Sequence, residues 1–422
     1  MAGATLAEKL ISRIAGVDRA RAGDHLWCKV DVALLTDPTT PQVGAAMARL
    51  GAEKVFDPAK VVIFHDHFVP AKDVKSAGLA RASKEFAREH GIEKFFEVGR
   101  AGICHVALPE TGMVVPGDLV VGADSHTTTH GALGAFATGM GATDMAAVLA
   151  TGKTWLMVPE TIRVDLKGAL DKYVCGKDVA LALLKELGVR GAIYKALEFG
   201  GPGAGDLELA DRFTMCNMAV EAGAKAGIFK ADEKVLDYVG SRTDREPVVF
   251  EPDPDAEYRR CIEMDVSKVE PMVAAPHSPD NVSPASVFSD VAVDQVLIGS
   301  CTNGRIEDFR AFAEIMNGRK VHPDVRLIAL PGSPSVLEQM IAEGIAASLV
   351  QSGGVLGPCT CGPCIGSPPG VLGESEVALF TTNRNFQGRS GARSSRVYLA
   401  SPAVAAATAI TGRITDPRNL AG

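Results

Sequence analysis

Cys301, in the run IGSCTNGRIEDF, and Cys361 with Cys364, in CTCGPCIGS, are the residues of this chain best suited to metal chemistry. A lone thiol stands some sixty positions ahead of a C-x-x-C pair, and each lies in a turn rich in glycine or proline. Thiolates are the preferred ligands of iron–sulfur clusters, and three of them on a cubic four-iron cluster would leave one iron open as a Lewis acid. C-x-x-C also occurs in zinc ribbons and redox motifs, so spacing alone leaves cluster and zinc both open.

Imidazoles beside carboxylates form the second group. His67 follows Asp66 in HDH, His126 follows Asp124 and Ser125 in ADSHT, and His105 lies in GICHVALPE. A carboxylate fixes an imidazole's tautomer and raises its pKa, which suits proton transfer. Any one of these histidines alone reads as structural; three at strand-to-loop junctions favour a site. His65 and His130 read as structural, and His25, His90, His277 and His322 have no such setting. Asn217 and Glu221, four apart in CNMAVE, share one helix face. Glu221 could orient a histidine there, although composition alone favours an exposed acid. Arg384 and Arg389 in NRNFQGR form either a bidentate carboxylate clamp or a solvated basic loop.

The elements that must position these residues alternate between strand and helix. VVIFHDHFVP (61–70) and DLVVGADSHT (118–127) read as strands running into loops, and ASKEFAREHGI (82–92) as a helix stopped at Gly91. GALGAFATGMGATDMAAVLATG (131–152), rich in small residues, reads as including a buried helix. Later come the helices within GKDVALALLKELG and FTMCNMAVEAG, the strands DQVLIGSC (294–301) and RLIALPG (326–332), and an Ala-rich helical tail. This order predicts an α/β fold of parallel, helix-covered sheets, whose ligand crevice lies beyond the strand ends. Boundaries near 160 and 263 give segments 1–159, 160–262 and 263–422. GGPGAG (200–205) has the wrong spacing for a dinucleotide fingerprint, and GKT (152–154) lacks the upstream glycine of a P-loop.

Composition narrows the class further. With 422 residues, 46% hydrophobic and 22% charged, the chain is long enough for two or three cores. A net charge of −8 argues against broad nucleic-acid binding. The N-terminal run MAGATLAEKLISRIAG reads as an amphipathic helix rather than a signal peptide, and no apolar run is long enough to span a membrane. Nine cysteines, too sparse for a disulfide framework, read as free thiols in a reducing cytoplasm.

Taken in order, GADSHTTTHGALG, GSCTN, CGPCIG and NRNFQGR resemble the aconitase superfamily of iron–sulfur hydro-lyases. The likeness runs from TLAEK to SPAVAAATAITGRITDPR, and the combination of motifs sets zinc aside. GICHVALPE, FATGMGATD and ATGKTW are similar to its two-subunit branch, the large subunits of the 3-isopropylmalate dehydratase and homoaconitase group.

The resemblance implies three aconitase-type α/β domains around a cluster cleft, with the family's swivel domain absent from this chain. It implies a [4Fe-4S] cluster on Cys301, Cys361 and Cys364; Cys359 matches no ligand position. Asp66 would pair with His67, Asp124 with His105 and Glu221 with His126. Ser125, Asn217 and Asn383 would face cluster and substrate, and Arg384 and Arg389 would hold substrate carboxylate. DPTTPQ places Gln42 one position later than the family's glutamine, so Gln42 carries over only weakly. The expected activity isomerises a malate-type hydroxy acid by dehydration and rehydration, from 2-isopropylmalate to 3-isopropylmalate in leucine biosynthesis. Homoaconitate, methylmalate and dimethylmalate are the alternatives, and RNA-dependent regulation by the cluster-free chain is disfavoured by the acidic charge. The substrate would be a small di- or tricarboxylic acid, and the expected partner a small subunit with the swivel domain and catalytic serine. Ser394-Ser395-Arg396 matches that serine segment only by chance.

Overall fold

The computed structural model describes residues 3–420, so Met1 and Ala2 of the N-terminal run lie outside it. Thr5 and Glu8 cap the helix Leu6–Ala15 reciprocally, and its apolar face (Leu6, Leu10, Ile11, Ile14) is buried. Among the described residues no helix is long and apolar enough to cross a membrane.

Short apolar runs, buried throughout in the central strands Val32–Thr36, Val61–Phe64, Leu119–Gly122, Gln295–Gly299 and Val377–Phe380, make parallel sheets with both faces covered. In the first sheet the strand order is Phe95–Phe96, Val61–Phe64, Val32–Thr36, Leu119–Gly122 and Phe136–Gly139, all parallel. The second runs Ala226–Phe229, Ala196–Gly200, Thr161–Lys167 and Arg260–Asp265, also parallel. The third has seven strands, in the order Val282–Pro284, Met272–Ala274, Arg396–Ala400, Val377–Phe380, Gln295–Gly299, Arg326–Leu330 and Val355–Leu356. Met272–Ala274 pairs antiparallel with both neighbours; the remaining pairs are parallel. A two-stranded antiparallel ribbon joins His25–Lys29 to Lys153–Met157. One hydrophobic core runs through all three larger sheets, from Val32 through Leu197 to Leu399.

Two elements differ from their sequence patterns. The helix ending before Gly91 begins at Val74, because the Asp73 carboxylate caps it by accepting the Ser76 N–H at 2.7 Å. Between 131 and 152 the chain forms the strand Phe136–Gly139 before the helix Ala142–Thr151. Gly139 permits a close approach: a Cβ there would sit 2.5 Å from Asp124 O and 2.8 Å from Ser125 Cα.

Parallel strands end on the same edge, and that fact assembles the site. Asp37, Asp66 and Asp124 each follow a strand of the first sheet, and these strands are neighbours. Cys301 follows Gln295–Gly299, and Asn383 with Arg384 follows its parallel neighbour Val377–Phe380.

Candidate active site

Asp66 is fully buried and organises its surroundings with every acceptor it has. Its Oδ1 lies 2.7 Å from His67 Nδ1, and its Oδ2 accepts the Cys104 N–H at 2.7 Å. Its backbone carbonyl accepts the Cys361 N–H and the Thr360 hydroxyl, both at 2.9 Å. Asp66, His67 and Cys361 thereby gather one donor atom each within 4.8 Å. The imidazole of His67 reaches Asp124 Oδ2 with Nε2, 3.2 Å away, so both ring nitrogens face carboxylates. Burial alone would lower the His67 pKa, but Asp66 and Asp124 together hold it well above the usual histidine value.

Asp124 is the hub of three imidazoles. Its Oδ1 lies 2.8 Å from His105 Nε2 and accepts the His126 N–H at 2.8 Å. Burial would raise its pKa; His105, His126 and His67 hold it well below the carboxylate range. His126 turns Nε2 to Glu221 Oε1 at 2.8 Å, leaving Nδ1 beside the Ser125 hydroxyl at 3.4 Å. Glu221 is buried, and both of its oxygens accept from Arg384 Nε, at 2.8 and 3.0 Å. Burial would raise the Glu221 pKa, yet His126 and Arg384 lower it. Glu221 lies in a short 3-10 turn just past the helix Leu209–Ala219 that carries Asn217.

The three thiols are buried at the same place. Ser300 takes the left-handed region at φ +82°, turning the chain sharply out of its strand into Cys301. Cys361 precedes the short 3-10 helix Gly362–Ile365, which carries Cys364. One carboxamide reads two of the sulfurs: Asn383 Nδ2 lies 3.3 Å from Cys301 Sγ, and Cys364 Sγ lies 3.6 Å from Asn383 Oδ1. Asn383 Nδ2 also donates to Asn217 Oδ1 at 3.1 Å. Burial pushes the Cys301 thiol up to about 12 and Cys361 well above the ordinary thiol value, where Asp66 adds to it. Cys359 is half-buried outside this group.

Two predicted residues stand apart. Gln42 is exposed and donates back to Pro38 O, just ahead of its helix Thr40–Arg49, at 3.1 Å. Arg389 is half-buried, and among the described residues its guanidinium has no ion-pair partner and its Nε no hydrogen bond. His65 is held between Glu97 and Ser83, each at 3.0 Å. His130 lies 3.4 Å from His105 Nδ1, and burial takes its pKa well below the usual value.

Three residues escaped the sequence pattern. Asp37 accepts the backbone N–H groups of Asp66, His67 and Phe68 at 3.1, 2.8 and 2.8 Å, clamping the HDH loop. Its place after the run VALLT was the available signal. Arg305 donates to the carbonyls of Cys301, Thr302 and His105 and stacks on Phe213 at 4.5 Å. Lys177 is fully buried and donates to the carbonyls of Thr381 and Thr382. Nothing in the spacing of these two marks them.

These features define a class: an α/β protein whose parallel sheets direct buried thiols and carboxylate-held imidazoles to one edge. The family model for the aconitase family (aconitate hydratase) matches residues 8–289 and 284–412, and the chain belongs to that family. It is 50% identical over 418 residues to the 3-isopropylmalate dehydratase large subunit of Moorella thermoacetica, covering 99% of both chains. It is likewise 50% identical to 3-isopropylmalate dehydratase large subunit 1 of Pyrococcus furiosus, over the whole of both. A solved structure, the holo-form of Thermococcus kodakaraensis aconitase X, shares the fold with a TM-score of 0.50 at 14% identity, over 90% of this chain and 89% of that one.

Proposed function

We propose that this chain is the cluster-bearing large subunit of a two-subunit hydro-lyase, interconverting 2-isopropylmalate and 3-isopropylmalate by dehydration and rehydration. The observation that carries the reading is the meeting of Cys301, Cys361 and Cys364 with three carboxylate-held imidazoles. The full-length likeness to relatives named 3-isopropylmalate dehydratase large subunit supports the choice of substrate and the need for a small subunit. Residues 1–159, 160–262 and 263–422 form its three domains in this reading.

The donor set fits a [4Fe-4S] cluster. It is soft, buried and all sulfur, and the Cys301 and Cys361 thiols keep their protons until a bound cation displaces them. Cys301, Cys361 and Cys364 would hold the cluster, which when bound supplies a Lewis-acidic iron to polarise the substrate hydroxyl.

The remaining chemistry belongs to side chains. His126 is held by Glu221 through Nε2, and its Nδ1, beside the Ser125 hydroxyl and 3.6 Å from Asp124 Oδ1, is the nitrogen that exchanges a proton with the departing or returning water. His67 keeps protons on both nitrogens and fixes Asp124 rather than acting as a base. His105 donates Nε2–H to Asp124, and the pair shares that water's hydrogen-bond network. Arg384 spends Nε on Glu221 and offers its terminal amines, together with unpaired Arg389, to substrate carboxylate. The carbon-bound proton is left to the small subunit's serine.

Anaerobic purification with iron and acid-labile sulfide analysis tests the reading, and about four of each per chain is expected. Cys361→Ser should lose them and Cys359→Ser should keep them; equal loss would overturn the ligand assignment. The purified chain should turn over 2-isopropylmalate only when the small subunit is added.

A further inference from the structure

Lys177 occupies a position that electrostatics disfavours on three counts. It is fully buried, although lysine is almost never so unless paired. It stands at the second position of the helix Gly176–Leu187, the positive end of the helix dipole. Among the described residues no carboxylate forms an ion pair with it. The neighbouring Asp178 is spent on backbone, accepting the N–H groups of Cys175 at 3.0 Å and Met272 at 2.8 Å. Its ammonium donates instead to the carbonyls of Thr381 and Thr382, the two residues that lead into Asn383 and Arg384. Burial pulls its pKa down to about 8, against which Cys175, Asp178, Cys364 and Cys301, in that order, favour the charged ammonium.

We propose that Lys177 is a positioning residue that serves as the internal counter-charge of the cluster cage, resting on the reading above that Cys301, Cys361 and Cys364 hold a [4Fe-4S] cluster. Three thiolates around such a cluster leave a net negative charge, and a buried lysine that forms no ion pair with a carboxylate among the described residues supplies the balancing cation from within the protein. Through Thr381 and Thr382 the same ammonium fixes the turn that aims Asn383 at two sulfurs and Arg384 at Glu221. A nearby cation favours the reduced, more negative state of a cluster, so Lys177 holds the reduction potential up.

The test compares Lys177→Met, Lys177→Gln and Lys177→Arg with the parent chain, purified without oxygen and reconstituted with iron and sulfide. Iron and sulfide content, circular dichroism and an EPR-monitored reductive titration are measured on each. The Met and Gln variants should show a lowered midpoint potential and faster loss of iron in air, and the Arg variant should restore most of both. A parent chain that takes up no iron and sulfide removes the underlying reading and this proposal together. A loaded parent and loaded neutral variants with the same midpoint remove the proposal alone, as does an Arg variant as low as Met. Failure of the neutral variants to fold while Arg folds and loads supports the role of charge. Failure of Arg as well shows that lysine's shape, not its charge, is required, and overturns it.

Discussion

Glu221 joins two side chains with separate tasks, accepting from His126 and from Arg384 on one buried carboxylate. Replacing it with glutamine keeps an acceptor for His126 but removes the charge that balances Arg384. We expect Glu221→Gln to lower kcat by about 10²-fold or more with iron content unchanged, measured on the chain combined with its small subunit. A second expectation concerns Asp308, a buried carboxyl that burial raises from 3.8 to about 7. The folded chain holds this proton where the unfolded chain has released it. Its contribution is therefore full below about pH 4 and is lost as pH rises towards 7, by an amount on the order of a few kcal/mol. Thermal unfolding of Asp308→Asn across that range should show a smaller decline than the parent. The pairing of Asp66 with His67 is local and was legible in HDH, whereas Asp124 and His105 come together from separate segments. Glu221 was open to two readings, an orienting carboxylate or a solvated acid, because its partner lies 95 positions away and only the family resemblance paired it with His126.

Between residue and molecule, the strand-to-loop junctions govern precision. Asp37 holds three successive amides of the HDH loop, and Asp37→Ala would leave those amides without their acceptor. The expected cost is about 2 kcal/mol or more, with weaker retention of iron, read by unfolding and iron analysis. Gly139 makes a steric counterpart, since Gly139→Ala must push the Asp124–Ser125 backbone aside. Activity should fall sharply there while secondary structure by circular dichroism stays the same. The strand Phe136–Gly139 that it ends was illegible for the reason the glycine is needed. Ala and Gly between 131 and 141 serve close backbone contact, and small residues carry no period-2 or period-3.6 signal. Elsewhere the apolar runs at 61–64, 119–122, 295–299 and 326–330 announced their strands plainly, because central parallel strands are hydrophobic on both faces.

At the scale of the whole molecule, Arg305 ties the parts together. It bonds the carbonyls around Cys301 in the third sheet's edge, reaches His105 at the first, and stacks on Phe213 beside the second. Arg305→Met should lower thermal stability by about 2 kcal/mol or more through unsatisfied carbonyls, and Arg305→Lys should recover little, lacking the planar fork. The α/β class was visible in the alternation of elements, whereas this bridge depends on three distant segments meeting. The bond from the Cys361 N–H to the Asp66 carbonyl extends that idea into time. Its two ends stand at positions 66 and 361 of a 422-residue chain, so an emerging polypeptide carries the histidines of the site long before it carries the loop that closes it. Closing the site is accordingly a long-range step, slower than the local pairings of the first sheet.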